Sequence, residues 1–336
     1  MLASHLVSHL VLTVIQVLFG IFVNGIIVIV NSTDLIKQRK LIPLDLLVSC
    51  LAISRMGIQL ASFYINLALL SLIKFPQFTE KLVVFTFMND LGLWFATWLS
   101  VYYCTKIATI THPLFFWLKT KISKLVPWLI LASLLYACGT SAVHVKYKWV
   151  FYGEVFLGLF FPNVTAPIEV IPSLQFAFLF AEFALPLFIF LISSLLLIFS
   201  LGRHAWQVRN TWTGPRNPRT HVHIRAFLSI LSFLALYLCH YLIVALIFFQ
   251  IFNLRSFLFL FCTFTVGSYH SVHSISLILG NPKMKQNAKV LLLHRKCGQW
   301  ERTLIQSKNW QFSELTEATQ PPSAKRSLFT NLRSII

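Results

Sequence analysis

Apolar residues along this chain gather into seven long runs, about 7–30, 46–72, 82–111, 125–145, 173–201, 226–252 and 257–280, with polar stretches between them. At a rise of about 1.5 Å per residue, roughly 20 helical residues cross a bilayer core, and every run is long enough. Lipid offers no partner for exposed backbone N–H and C=O groups, and the runs are too long for barrel strands. The pattern predicts an all-α membrane protein, a bundle of seven transmembrane helices.

Composition strengthens this reading. Hydrophobic residues make up 57% of the 336 and charged residues only 11%, with Phe occurring 32 times. A soluble domain carries about 25% charged residues. The formal net charge of +18 would suggest nucleic acid in a soluble protein. In so apolar a chain, anionic lipid is the better partner, and no RNA- or DNA-binding motif accompanies the charge. The basic residues are sorted by side. Segments 31–44, 105–124, 202–225 and the stretch after 280 hold 22 of the 28 Lys and Arg, the alternate connections hold five, and Arg55 lies inside a span. Basic loops stay in the cytoplasm, so the N-terminus is expected outside and the C-terminus inside, in the plasma membrane. Asn163-Val164-Thr165, a glycosylation sequon, falls in a connection this topology places outside. Asn163 is the expected glycan site, an ordinary loop residue being the alternative. A second sequon at Asn31 falls inside and should stay bare.

The start of the chain lacks a basic n-region, so the first run reads as a retained signal-anchor. None of the six cysteines stands in a CxxC pair and five lie in apolar runs. Neither a zinc site, another metal, a cofactor nor a structural disulfide is expected. Residues 1–297 read as the membrane domain, and the polar stretch 298–336 reads as a flexible cytoplasmic tail. Between Met284 and Lys296, Val290-Leu291-Leu292-Leu293 is flanked by Lys285, Lys289, Arg295 and Lys296, as in a short interfacial helix, and Cys297 at its end is either a palmitoylation site or a free thiol.

Polar residues inside spans are costly and mark function. On the helical rise, Asn66, Asn89, Asp90, Glu182, His240 and Thr263 lie about 8–18 Å below the outer edge of five different helices. Phe85, Phe178, Tyr237, Tyr241 and Phe264 surround that layer. An apolar hollow with a few polar groups suits a small molecule. For the Asn, Thr and His residues, bonding between helices for packing alone is the alternative. Asp90 and Glu182 need a partner, a proton or water, and no Lys or Arg shares their depth, so water in a cavity is the simplest supply. In the inner half, Asn24, Arg55 and His273 sit about 10–15 Å from the inner edge. They read as an interhelical latch, with packing as the alternative. Lys106, Arg203 and His204 at the inner rim can simply snorkel.

Six strings carry a resemblance. They are Gly20-Ile21-Phe22-Val23-Asn24-Gly25, Leu51-Ala52-Ile53-Ser54-Arg55, Trp94-Phe95-Ala96-Thr97-Trp98-Leu99-Ser100, Ser200-Leu201-Gly202-Arg203-His204, His223-Ile224-Arg225-Ala226 and the run from His273 through Gly280-Asn281-Pro282-Lys283. In this order they resemble the type 2 taste receptors, the bitter receptors, over roughly residues 1–297. The resemblance implies a G-protein-coupled receptor that takes small bitter molecules between helices 2, 3, 5, 6 and 7. Its pocket positions fall on Asn66, Phe85, Asn89, Asp90, Glu182, His240, Thr263 and Val266. Its activation-linked Arg falls on Arg55, beside Asn24, with Lys106, His204 and His273 as further interhelical or inner-face positions. A heterotrimeric G protein of the gustducin type would dock at the inner ends of helices 3, 5 and 6. An oligomer is compatible with these features. His240 stands where Tyr is common, His112-Pro113 departs from many members, and the tail is longer than usual. The DRY triplet and CWxP motif of the rhodopsin-like group are absent. A vomeronasal type 1 receptor shares the architecture. A transporter or channel would show inverted repeats or carboxylates along a pore, and an enzyme would show a nucleophile, metal cluster or phosphate loop beside Asp90 and Glu182; none is visible, so catalysis is not expected.

Overall fold

In the computed structural model the described residues are 2–38, 42–69, 78–108, 110, 112–146, 173–211, 234–239, 242–243 and 257–293. The chain divides into two compact units, 1–285 and 286–336. The first contains α1 (Leu2–Gln38), α2 (Pro43–Leu69), α3 (Phe78–Ile107), α4 (Pro113–Lys146), α5 (Ser173–Thr211), α6 (helical residues 234–239 and 242–243) and α7 (Phe257–Gly280). Helical residues 282–293 follow α7. No strand occurs among the described residues. The chain is an all-helical membrane protein, with Leu10–Ile36, Pro43–Tyr64, Phe115–Val145 and Ala181–Arg203 long and apolar enough to cross a bilayer. Asn163, His240, Cys297 and the tail 298–336 lie outside the described residues, as do the side chains of Asn66, His204 and Thr263.

Helices overrun the apolar runs that announce them. α4 begins at Pro113, twelve residues before its run, and takes Lys119, Lys121 and Lys124 into the helix. Charge ends an apolar run without ending a helix, and Pro fits the first helical turn, where its missing N–H is no loss. α5 likewise carries Arg203 and Arg209. Pro127 and Pro186 sit inside α4 and α5. Near Pro186, α3 meets α5: the Thr97 hydroxyl lies 3.1 Å from the Pro186 carbonyl and 2.9 Å from that of Leu93.

α3 is the centre of the packing. It meets α2, α4 and α5, while α1 meets α2 and α7. Residues 91–97 of α3 are buried without interruption, the mark of a helix with neighbours on every side. Two glycines permit close approach. A Cβ on Gly20 of α1 would run into the Gln59 amide of α2, and one on Gly267 of α7 into the Gln16 amide of α1. With the space open, Gln16 Nε2 donates to the Phe264 carbonyl at 2.8 Å and to Ser268 Oγ at 2.9 Å, and Gln59 Nε2 to Ser271 Oγ at 3.1 Å. Serines join α3 to α5: Ser100 Oγ lies 2.8 Å from both Ser193 Oγ and Ser194 Oγ. Without a hydrophobic drive between helices in lipid, small residues and such bonds hold the bundle.

Candidate functional site

Arg55 of α2 is 2% exposed. Its Nη1 donates to Ser274 Oγ at 2.9 Å, and its Nη2 meets His273 Nδ1. The Ser274 hydroxyl lies 2.7 Å from Asn24 Oδ1, with the His270 carbonyl as a second acceptor at 2.8 Å. Asn24 Nδ2 donates to the Gly20 carbonyl at 2.9 Å. Asn24, His273 and Ser274 are all buried. One guanidinium, one hydroxyl and one amide thus join α2, α7 and α1. The sequence names three of the four and implies a nearby serine oxygen as a further partner of Arg55 without fixing which one; the structure makes it Ser274.

An aromatic chain leads away from this junction. The Tyr269 ring stacks on His273 at 6.1 Å, Tyr237 of α6 meets Tyr269 edge-on at 6.4 Å, and Phe190 of α5 packs 4.0 Å from Tyr237. Between them and α3 lies a cavity of ≈ 20 Å³ bordered by Arg55, Asn89, Ala96, Tyr237, Tyr269 and His270. Asn89 and Arg55, placed in different layers by the sequence reading, border the same space.

Asp90 and Glu182 face elsewhere. Asp90 Oδ2 accepts from Thr140 Oγ1 at 2.8 Å, and Glu182 Oε1 lies 3.1 Å from His144 Nε2. All four side chains are buried. The two carboxyl groups lie close enough to act on one another. Of the partner, proton or water that these carboxyl groups need, α4 provides a hydroxyl and an imidazole as partners. Thr140 and His144 are four residues apart and so share a helix face, the one signal that could have pointed to them. Phe85 and Val266 are half-buried. Lys106 is exposed at the end of α3, its Nζ 5.9 Å from the centre of the Tyr102 ring.

At the basic end of the bundle, Lys283 Nζ lies 3.0 Å from Asp34 Oδ2 and 3.5 Å from Asp45 Oδ2. The hydrogen bond that Lys283 donates to Asp34 raises its ammonium above the ordinary range, assisted by Asp45. Asp45 stands in the first turn of α2, where a helix dipole favours negative charge. Asn281 Oδ1 accepts from the backbone N–H groups of Lys283 and Met284 at 3.1 and 3.3 Å, an N-cap followed by Pro282 at the first helical position. Asn31 Nδ2, the atom a glycan would need, donates to the Asp45 carbonyl at 3.0 Å and to Ser49 Oγ at 2.9 Å.

With the geometry in view, known proteins give a concordant picture. The family model described as taste receptor protein (TAS2R) matches residues 1–296. Taste receptor type 2 member 1 of Chlorocebus aethiops is 52% identical over 299 residues, covering 89% of this chain and all of that relative. Taste receptor type 2 member 119 of Rattus norvegicus is 44% identical over 326 residues, 97% of both chains. That match reaches into the polar tail. Taste receptor type 2 member 2 of Homo sapiens is 31% identical over 298 residues, 86% of this chain and 97% of its own length.

Proposed function

Because the chain belongs to the taste receptor type 2 family, we propose that it is a plasma-membrane bitter receptor that binds small molecules in an outward-facing hollow and activates a gustducin-type G protein. The observation that carries this reading is the family match over residues 1–296, the whole helical bundle. The basic end of the bundle faces the cytoplasm, and Asn163 carries a glycan outside. Ligands contact the layer of Asn66, Phe85, Asn89, His240, Thr263 and Val266. Asn89 is the member of that layer beside the cavity. Asp90 and Glu182 reach a ligand by exchanging their bonds to Thr140 and His144.

Activation is a population shift, driven only by the difference in ligand affinity between two arrangements. The junction of Asn24, Arg55, His273 and Ser274 holds the resting one. Tyr237 and Tyr269 give it a path to α6, because α6 cannot move without changing the stack that ends on His273. Calcium imaging in cells that co-express the chain with a taste-type G protein, screened against a bitter library, tests the reading. Agonists should emerge, and Asn89→Ala and Glu182→Ala should change their potency at unchanged surface expression. Silence across the library in well-expressing cells would refute the function, and epitope tags placing both chain ends on one side of the membrane would refute the topology.

A further inference from the structure

Arg55 is a positive charge deep in the bundle that no carboxylate among the described residues answers. The ion pairs among the described residues join His144 to Glu182 and Lys283 to Asp34 and Asp45, leaving Arg55 out. A guanidinium does not give up its proton in proteins. Ser274 and His273 engage its two terminal nitrogens, but neutral acceptors satisfy hydrogen bonds without balancing charge. An isolated charge in so poor a dielectric is strongly disfavoured.

The cavity lies against this charge. Its polar border comes from Arg55 of α2, Asn89 of α3, Tyr237 of α6, and Tyr269 and His270 of α7. Guanidinium, amide and phenol groups all offer hydrogens. At ≈ 20 Å³ the space admits a particle about the size of one water and is too small for an organic carboxylate. A water would accept those hydrogens but leave the charge as it was. We propose that this cavity binds a small inorganic anion of the halide class, chloride by size, which neutralises Arg55 and ties α2, α3, α6 and α7 together. The site borders the proposed bitter-ligand layer at Asn89, but the anion and its test do not depend on that reading. It makes chloride a ligand of the arrangement in which the junction is closed.

The test uses the purified full chain in lipid nanodiscs. Thermal unfolding is followed in sodium chloride, sodium bromide and sodium gluconate at equal ionic strength, with the halide titrated against gluconate. A ligand of the folded state alone raises the midpoint with the logarithm of its concentration once above its dissociation constant. Chloride and bromide should both do so, and gluconate should not. Ala96→Val adds bulk to the wall while leaving Arg55 in place, and should raise the half-saturating halide concentration by about tenfold or more. Arg55→Gln should remove the halide dependence; if that variant does not fold, Ala96→Val carries the test. Equal midpoints in chloride and gluconate, or the same halide dependence in wild type and Ala96→Val, would overturn the proposal and leave the cavity to water.

Discussion

Replacing Ser274 by Ala removes one hydroxyl and with it the point at which α1, α2 and α7 are joined. That hydroxyl accepts from Arg55 and donates to Asn24, in fully buried surroundings. Interhelical bonds in membrane bundles average about 0.6 kcal/mol and reach about 1.7, while bonds to charged groups in proteins are worth about 1.5–3 kcal/mol. One neutral and one charged bond together give about 2 kcal/mol, and Arg55 keeps His273, so the guanidinium is not stranded. If the junction belongs to the resting arrangement, about 2 kcal/mol changes the ratio of resting to active receptor roughly 30-fold. A receptor about 1% active without ligand would become roughly one-quarter active. The assay is ligand-independent G-protein signalling per receptor at the cell surface, with surface level measured by antibody on the same cells. Ser274→Thr restores a hydroxyl and should stay near wild type. A Ser274→Ala receptor at normal surface density, with wild-type basal signal and wild-type agonist potency, would show that these bonds serve packing alone.

Three further outcomes are expected. Thr140→Val leaves Asp90 without its hydroxyl donor and should cost about 1–3 kcal/mol, read as a lower thermal midpoint that Thr140→Ser largely recovers; an unchanged midpoint would mean that another donor serves Asp90. Lys283→Met should cost no more than about 1 kcal/mol, because the Lys283 side chain is 43% exposed and solvent screens the pair. Asp34 raises the Lys283 pKa, so that contribution is complete below the ordinary lysine value of about 10.4 and is lost only as pH rises through the raised value; the gap between wild type and Lys283→Met should be flat from about pH 6 to 9 and shrink in high salt. Trp98→Phe loses the indole bond to Ser133 at 2.9 Å and alters the stack on Trp94, and should cost about 1–2 kcal/mol, measured as earlier unfolding in detergent.

Helical rise gave only a coarse height, so that Asn89 and Arg55, assigned to different layers, border one cavity, and it gave no direction around a helix. Asn24, Arg55 and His273 could be grouped because a coarse height suffices where so few groups can bond to a buried guanidinium. Asn89 and Asp90 show the limit. They are adjacent in sequence and nearly equal in depth, yet about 100° apart around α3, so Asn89 borders the cavity while Asp90 turns to Thr140 on α4. On an amphipathic helix the apolar stripe would have told the two faces apart. α3 is buried over 91–97 on every side and offers no such stripe. Helix ends were misjudged for a related reason. Lys119, Lys121 and Lys124 marked the limit of lipid, which was taken for the limit of α4, whereas backbone bonding continues to Pro113.

The enclosure of α3 also decides how the bilayer itself can act on the protein. Acyl chains find no surface on its central turns. They do find its neighbours α2, α4 and α5, whose outward sides present Ile53 and Leu60, Trp128 and Leu135, and Phe188 and Phe199. A thicker or more sterol-rich membrane, which tilts or stretches the helices it touches, therefore pulls on those three, and α3 feels the strain only through their side chains. The polar groups α3 carries keep their spacing while the wall around them adjusts. One gene product expressed in two tissues with different lipids would then differ in how readily it switches before it differed in what it recognises.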